Sequence, residues 1–322
     1  MRPSRRSDAI SRIRALAPQA DDNIPGQHVN SKVILRRFAA VAPHPRAGNL
    51  AIRDLAHREA KPVYRGPAGC GRIENFVRYA SRSLENLWWE TENDLPSAIA
   101  ACSDGSVFGN DKSVKVLKDA IALHLVRSVH TRRFLDQLWQ DFLPRFREDV
   151  INRYQPRLAS LFTEMYHGLI PHGREGLEVV LDRLLSPMLT LREADAFHRD
   201  SLERLFRLAS SHLDGLGLEV CRAGSGEFVI GDAPALAISS DGRVGLLQGV
   251  GIESATTIAL PVDPQLLIST GNNNALHDIE GEQVEVLNRY QVAVAAQYVY
   301  HRPGSGDRAF ALAMEPATCV SR

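Results

Sequence analysis

Two histidines, two carboxylates and an arginine stand in this 322-residue sequence at places where rigid elements hold polar side chains. His28 precedes a short apolar helical pattern, and Asp232 ends an apolar run at the turn carrying Pro234. Helical spacing sets His124, Arg127 and Thr131 on one face at i, i+3 and i+7, roughly opposite Ile121, Leu125 and Val129. Glu85 and Glu92 lie two helical turns apart, so both face one way beside Trp88. A carboxyl group held against a tryptophan would gain a raised pKa, which suits acid–base work, and a residue at the rim of the face is the equal alternative.

If His28, Glu92, His124 and Asp232 converge, two imidazoles and two carboxylates suit a divalent metal. The expected ligands are then His28, His124 and Asp232, and the expected ion is Mg, Mn or Zn. Arg127 would hold a phosphate through its planar fork of donors. Metal-activated water with a charge-stabilising arginine serves phosphodiester hydrolysis. His28, Glu92, His124, Arg127 and Asp232 are therefore the expected catalytic set of a metal-dependent nuclease or phosphoesterase, with a toxin or defence role. The same residues also fit a buried polar network, in which His28 and Asp232 cap element ends and Glu92 pairs with Arg127. A non-enzymatic module is a further reading: Arg36, Arg37 and Arg127, with the arginine-rich N-terminus, would hold nucleic acid or a partner protein. The plainest reading is a structural or adaptor subunit.

These side chains depend on elements that the hydropathy pattern outlines. Residues 1–25 read as a flexible basic segment, and over its first twenty residues Arg2, Arg5, Arg6, Arg12 and Arg14 face only Asp8. One α+β domain is expected over 26–303, followed by a tail at 304–322. A short helix is expected around Val33–Val41, before Pro43, and a small hairpin from strand-like fragments at 50–52 and 62–64. Residues 82–214 read as helical, with helices near 82–99, 113–134, 146–167, 175–185 and 192–213. The last is opened by Thr190 and Glu193 in capping-box spacing. Patterning then shifts to short β-like runs at 218–221, 228–230, 235–238, 244–247, 256–260 and 266–268. Gly and Asp turns separate them, so residues 216–270 read as an antiparallel β-meander, and 281–300 as a closing helix. Helices first and strands later make the class α+β, a helical central region with a C-terminal meander.

Lys plus Arg equals Asp plus Glu, 38 each, so no global field steers the chain to polyanions and any such site is local. Four scattered cysteines without a C-x-x-C pair suit a reducing compartment. No signal-peptide apolar stretch and no membrane-length apolar run are present. The expected address is the cytoplasm without a membrane partner, with export as an effector the alternative. The oligomeric state is not legible here.

Phosphate loops, dinucleotide fingerprints, nucleophile elbows and zincin motifs are absent. What stands in their place is a series of local segments. Gln27, His28 and Val29 lead into Leu35, Arg36, Arg37 and Phe38; Thr91, Glu92 and Asn93 lead to Ile99. Residues 122–128 read Ala-Leu-His-Leu-Val-Arg-Ser, and 228–234 read Phe-Val-Ile-Gly-Asp-Ala-Pro. Ala259, Leu260 and Pro261 with Pro264, then Leu287 and Asn288 with Ala295, Ala296 and Tyr298, complete the series. In this order the chain resembles the bacterial domain-of-unknown-function 4238 family, whose members open on a His-Tyr-Val-Pro-like motif. It departs at Asn30 and Ser31, where Val-Pro stands in the family, and at His124, which replaces a Gln. The resemblance implies no reaction. Each of these segments carries a polar residue amid apolar ones, so they are expected to meet in space.

Overall fold

A computed structural model describes residue 24, residues 26–78 and residues 82–314. Residues 1–23 of the expected basic segment, and the end of the expected tail past 314, lie outside the described residues. The chain opens with strand β1 (Gly26–His28), helix α1 (Lys32–Arg37) and strands β2 (Leu50–Asp54), β3 (Val63–Arg65) and β4 (Arg72–Glu74). Five helices follow: α2 (Arg82–Cys102), α3 (Asp111–Val126), α4 (Val129–Met165), α5 (Gly173–Glu193) and α6 (Ala196–Asp214). Strands β5 (Gly217–Ala223), β6 (Ile230–Gly231), β7 (Leu236–Ile238), β8 (Thr257–Asp263), β9 (Leu266–Gly271) and β10 (Ala275–Ile279) come next. Helix α7 (Gly281–Val294), strand β11 (Tyr298–His301) and helix α8 (Ser305–Met314) close the described chain. The class is α+β. Among the described residues no helix is long and apolar enough to cross a membrane.

The chain separates into two compact units. The smaller contains Arg132–Ser201. Its core is Ile151 and Leu158 of α4 with Leu177, Val180, Leu181 and Leu185 of α5. Arg132 clasps Asp195 there through two nitrogens, at 2.8 and 3.2 Å. Helix α4 departs from helical dihedrals at Tyr154 (φ −119°, ψ 19°), two residues before Pro156. Proline supplies no N–H to the turn behind it, which loosens the ladder at that point.

The larger unit holds the sheets and α1, α2, α3, α7 and α8. The expected hairpin is present as β2 paired antiparallel with β3. It is not isolated, since β11 pairs with β2 on one side and β6 on the other, giving the order β3-β2-β11-β6. The expected meander is a five-stranded sheet in the order β10-β5-β9-β8-β7. Within 216–270 its pairings are antiparallel as expected, while β10, a strand not foreseen beyond that range, joins the edge parallel to β5. That pairing joins residues more than fifty positions apart, and no local pattern announces it. The strand expected at 244–247 is a single bridge at Val244 followed by a short 3-10 turn, because Gly245 and Gly249 take left-handed φ of 75° and 76°. The apolar run at Leu246–Leu247 therefore turns instead of extending.

Three helix boundaries also differ from the pattern. The helix expected through 113–134 stops at Val126, where Arg127 takes φ −80° and ψ 42°. Ser128 then restarts the chain as an N-cap, its Oγ accepting from the Thr131 N–H at 3.1 Å. His124, Arg127 and Thr131 consequently do not share one continuous helical face. Thr190 lies inside α5, donating to the Ser186 carbonyl at 3.0 Å, and α6 begins only at Ala196. The closing helix ends at Val294; Ala295 turns extended (ψ 135°) and the chain enters β11. The expected tail contains α8.

Candidate active site

Helix α2 supplies one wall. Its buried side is Leu84, Trp88, Thr91, Leu95, Ala98 and Ile99, which leaves Glu85 and Glu92 at the margin of that face. Both are partly buried, and the two act on each other electrostatically. One Glu85 oxygen, Oε1, is shut from solvent with no hydrogen-bond partner. Burial raises the Glu85 pKa, and the Glu92 carboxylate adds to the rise, while Arg127 and Lys32 oppose it. Sequence reasoning pointed to this effect beside Trp88, but it did not place Glu85 in the catalytic set.

The break after α3 sends Arg127 towards α2. Its backbone N–H still donates to the Leu123 carbonyl at 2.8 Å, as a helix cap. Its guanidinium donates from Nη1 to Glu92 Oε1 at 3.1 Å and lies over the Trp88 ring at 4.1 Å. The side chain is 2% exposed. Such a group is a buried ion-pair partner and does not reach out to a phosphate in solvent. That corrects its expected role as a phosphate clamp and fits the network alternative. Its Nε is buried without a partner.

His28 ends β1, which pairs with β4 antiparallel. Its Nε2 lies 3.3 Å from the Ala68 carbonyl. A carbonyl oxygen only accepts, so Nε2 carries the proton and Nδ1 keeps its lone pair. The His28 pKa falls to about 4, first through burial, then through the positive charges of Lys32, Arg127 and Arg72. His28 is therefore neutral from mildly acidic pH upwards. Lys32, partly buried on α1, acts on both His28 and Glu85, so these three share one electrostatic neighbourhood with Glu92 and Arg127. Arg72 is exposed at its edge. No sequence signal singled out Lys32 or Arg72.

His124 and Asp232 do other work. His124 is fully buried, donates from Nδ1 to the Ala120 carbonyl at 2.7 Å and accepts the Ser31 N–H on Nε2 at 3.1 Å. No lone pair remains for a metal. Asp232 accepts the Ala296 N–H on Oδ1 at 2.6 Å, and those of Gln297 and Tyr298 on Oδ2, each at 2.9 Å. Burial raises its pKa while these donors pull the other way. Among the described residues no group of three or more His, Cys, Asp or Glu could hold a metal. The donors present do not fit the expected ion, since two of its three expected ligands are spent on backbone N–H groups. Arg37 pairs with Asp263 at 3.4 Å, and Arg36 is exposed at the end of α1.

The segments nevertheless meet. Asn30 Nδ2 donates to the Gly231 carbonyl at 2.8 Å, and the neighbouring Ser31 reaches His124. Gln291 of α7 accepts the Gly231 N–H at 2.8 Å and donates to the Pro234 carbonyl at 2.7 Å. The opening segment, α3, β6 and α7 are thus tied through buried polar bonds, the arrangement that fixes a unique packing.

His124 gives this network a measurable pH dependence. Its folded pKa is lowered from 6.5 to about 4, chiefly by burial. Protonation therefore favours the unfolded chain: the stability is fully present above pH 6.5 and is lost as pH falls towards 4. The shift corresponds to roughly 3 kcal/mol. Denaturant unfolding of the wild type and of His124→Gln between pH 7 and 4 is expected to show a steeper loss in the wild type. Parallel curves would remove His124 from this role.

A family model described as "Protein of unknown function (DUF4238)" matches residues 26–305. No curated protein and no solved structure matches the chain.

Proposed function

Since the chain belongs to the DUF4238 family, of unknown function, we propose from its geometry that it cleaves phosphodiesters by acid–base chemistry. The observation that supports this reading is that half-buried His28, its pKa lowered to about 4, and Glu85, its pKa raised by burial, both feel the charges of Lys32 and Arg127. His28 Nδ1 takes the proton of the attacking hydroxyl or water. The new P–O bond forms as the old one breaks, and the Glu85 carboxyl protonates the departing oxygen. Lys32 and the exposed Arg72 balance the phosphate charge, which a buried Arg127 does not touch. Arg127 is a positioning residue that holds Glu92 against Trp88. No step needs a metal, and the metal-dependent form of the reaction is set aside because the donor set does not fit it.

The test is hydrolysis of a small diester, bis-p-nitrophenyl phosphate, and of DNA and RNA, with a chelator present throughout. His28→Ala is expected to lower turnover about 10²- to 10⁴-fold, the usual reach of one acid–base group, while its unfolding curve stays near wild type. Turnover unchanged in His28→Ala, or absent from the wild type, overturns the proposal. Salt-sensitive oligonucleotide binding without turnover would favour the non-enzymatic binding module instead.

A further inference from the structure

We propose that a pocket formed by α7, α8 and the turn after β2 binds a small organic anion, a carboxylate or phosphate head on an apolar body. The pocket has a volume of about 530 Å³, inside the usual range for small-molecule sites, roughly 300–1,000 Å³. Leu55, Val292, Ala313 and Met314 give it apolar walls. Arg58 and Arg289 bring charge to the lining, and among the described residues no Asp or Glu lines it. Arg58 follows the 3-10 turn Leu55–His57, while Arg289 stands on α7. None of these residues belongs to the acid–base site, so the proposal stands apart from that reading.

Arg289 is the observation that points to a ligand. Its partner at helical spacing, Glu285, stays 3.9 Å away, beyond hydrogen-bond reach. Its Nε is shut from solvent and bonds to no described residue. Buried donors are paired in all but a few cases, so one left bare at a cavity calls for an acceptor that the chain does not supply. Arg58 spends its Nε on the Leu55 carbonyl at 3.3 Å, which leaves its terminal nitrogens for the same ligand. Neither arginine is taken up by the end of α7. There the Gln291 carbonyl accepts the Ala295 N–H, and the Val294 carbonyl accepts from His130 Nε2. Two guanidinium forks on one cavity, with no carboxylate in its lining, select an anion and suit carboxylate or phosphate. The apolar walls favour a head that carries a body over a bare inorganic ion.

The experiment is calorimetric titration of the full chain with hexanoate, hexyl phosphate, hexan-1-ol and inorganic phosphate. Saturable binding of at least one hexyl anion is expected, about 10-fold or more tighter than hexan-1-ol and inorganic phosphate. The tighter of the two heads identifies the class of ligand. Arg289→Met keeps the apolar stem but removes the fork, and should weaken that binding about 10- to 100-fold, the scale of one charge-assisted hydrogen bond. Arg289→Lys should restore part of the affinity. Since the Arg289 Nε bonds to nothing in the fold, the unfolding curve of Arg289→Met should stay near wild type. Arg58→Met, on a separate element, should weaken binding as well and repeats the test independently. Failure of both hexyl anions to saturate the protein overturns the proposal. So does hexan-1-ol binding as tightly as they do, or an affinity unchanged in both arginine variants. Inorganic phosphate binding as tightly as hexyl phosphate also overturns it, by leaving the apolar walls without a role.

Discussion

Arg127→Ala is expected to destabilise the protein by about 3 kcal/mol, the lower part of the range for a broken buried ion pair. The guanidinium is 2% exposed, but its partner Glu92 is 24% exposed, so the stranded carboxylate recovers some hydration. Trp88 also loses the cation over its ring, and the space left beside a fully buried indole does not close completely. Glu92→Gln added to Arg127→Ala should return about 1 kcal/mol, because the unpaired charge is gone. Urea unfolding of the two single variants and the double reads all three terms. A wild-type unfolding curve for Arg127→Ala would show the arginine to be dispensable to the fold and reopen its role as a phosphate donor. In the same variant the Glu85 pKa should rise further, since the cation that opposes its rise is removed.

Asp232→Ala should be at least as damaging. Its two oxygens accept three successive N–H groups, those of Ala296, Gln297 and Tyr298, at the point where α7 gives way to β11. Strand β11 lies inside its sheet, between β2 and β6, so a misplaced start disturbs pairing on both sides. Three bonds to a charged acceptor, each worth about 1.5–3 kcal/mol, are comparable to the margin of a marginally stable domain, though water restores part of the loss. A loss of about 4 kcal/mol or more is expected, or failure to fold. Asp232→Asn keeps one carbonyl acceptor and should fall between. Near-normal stability of Asp232→Ala would mean that the 296–298 backbone finds other partners, and that Asp232 is free for a different task.

Residue types foretold much of this organisation, and non-local pairing concealed the rest. The helical stretch from α2 to α6 and the change to strands after it follow from apolar periodicity, which is a local property. The β2–β3 hairpin was legible for the same reason. The parallel β10 and the insertion of β11 between β2 and β6 join distant residues, so no short window contains them. The break after α3 did carry a signal in Ser128, a favoured N-cap three residues before Thr131. An unbroken apolar stripe from Leu117 to Val129 masked it.

The candidate site was half legible. That the segments would meet is evident in the bonds from Asn30 to Gly231 and from Ser31 to His124. Their polar residues alone do not reveal which way each side chain turns. His124 and Asp232 satisfy backbone donors, a demand that any buried N–H imposes and that is invisible until the backbone is placed. Lys32 and Arg72 look like ordinary surface charges in sequence, and only the fold sets them beside His28.

The most direct measurement is the pH profile of kcat/KM for bis-p-nitrophenyl phosphate, taken with a chelator present. His28 works as a base only when neutral, so activity should rise through a limb near pH 4. Glu85 works as an acid only when protonated, so activity should fall through a second limb above 4.5, giving a maximum at acidic pH. Glu85→Gln should abolish the second limb and lower the maximum. A profile that instead rises through an ordinary histidine limb near 6.5, or activity that vanishes with the chelator, would contradict a metal-independent site built on His28 and Glu85.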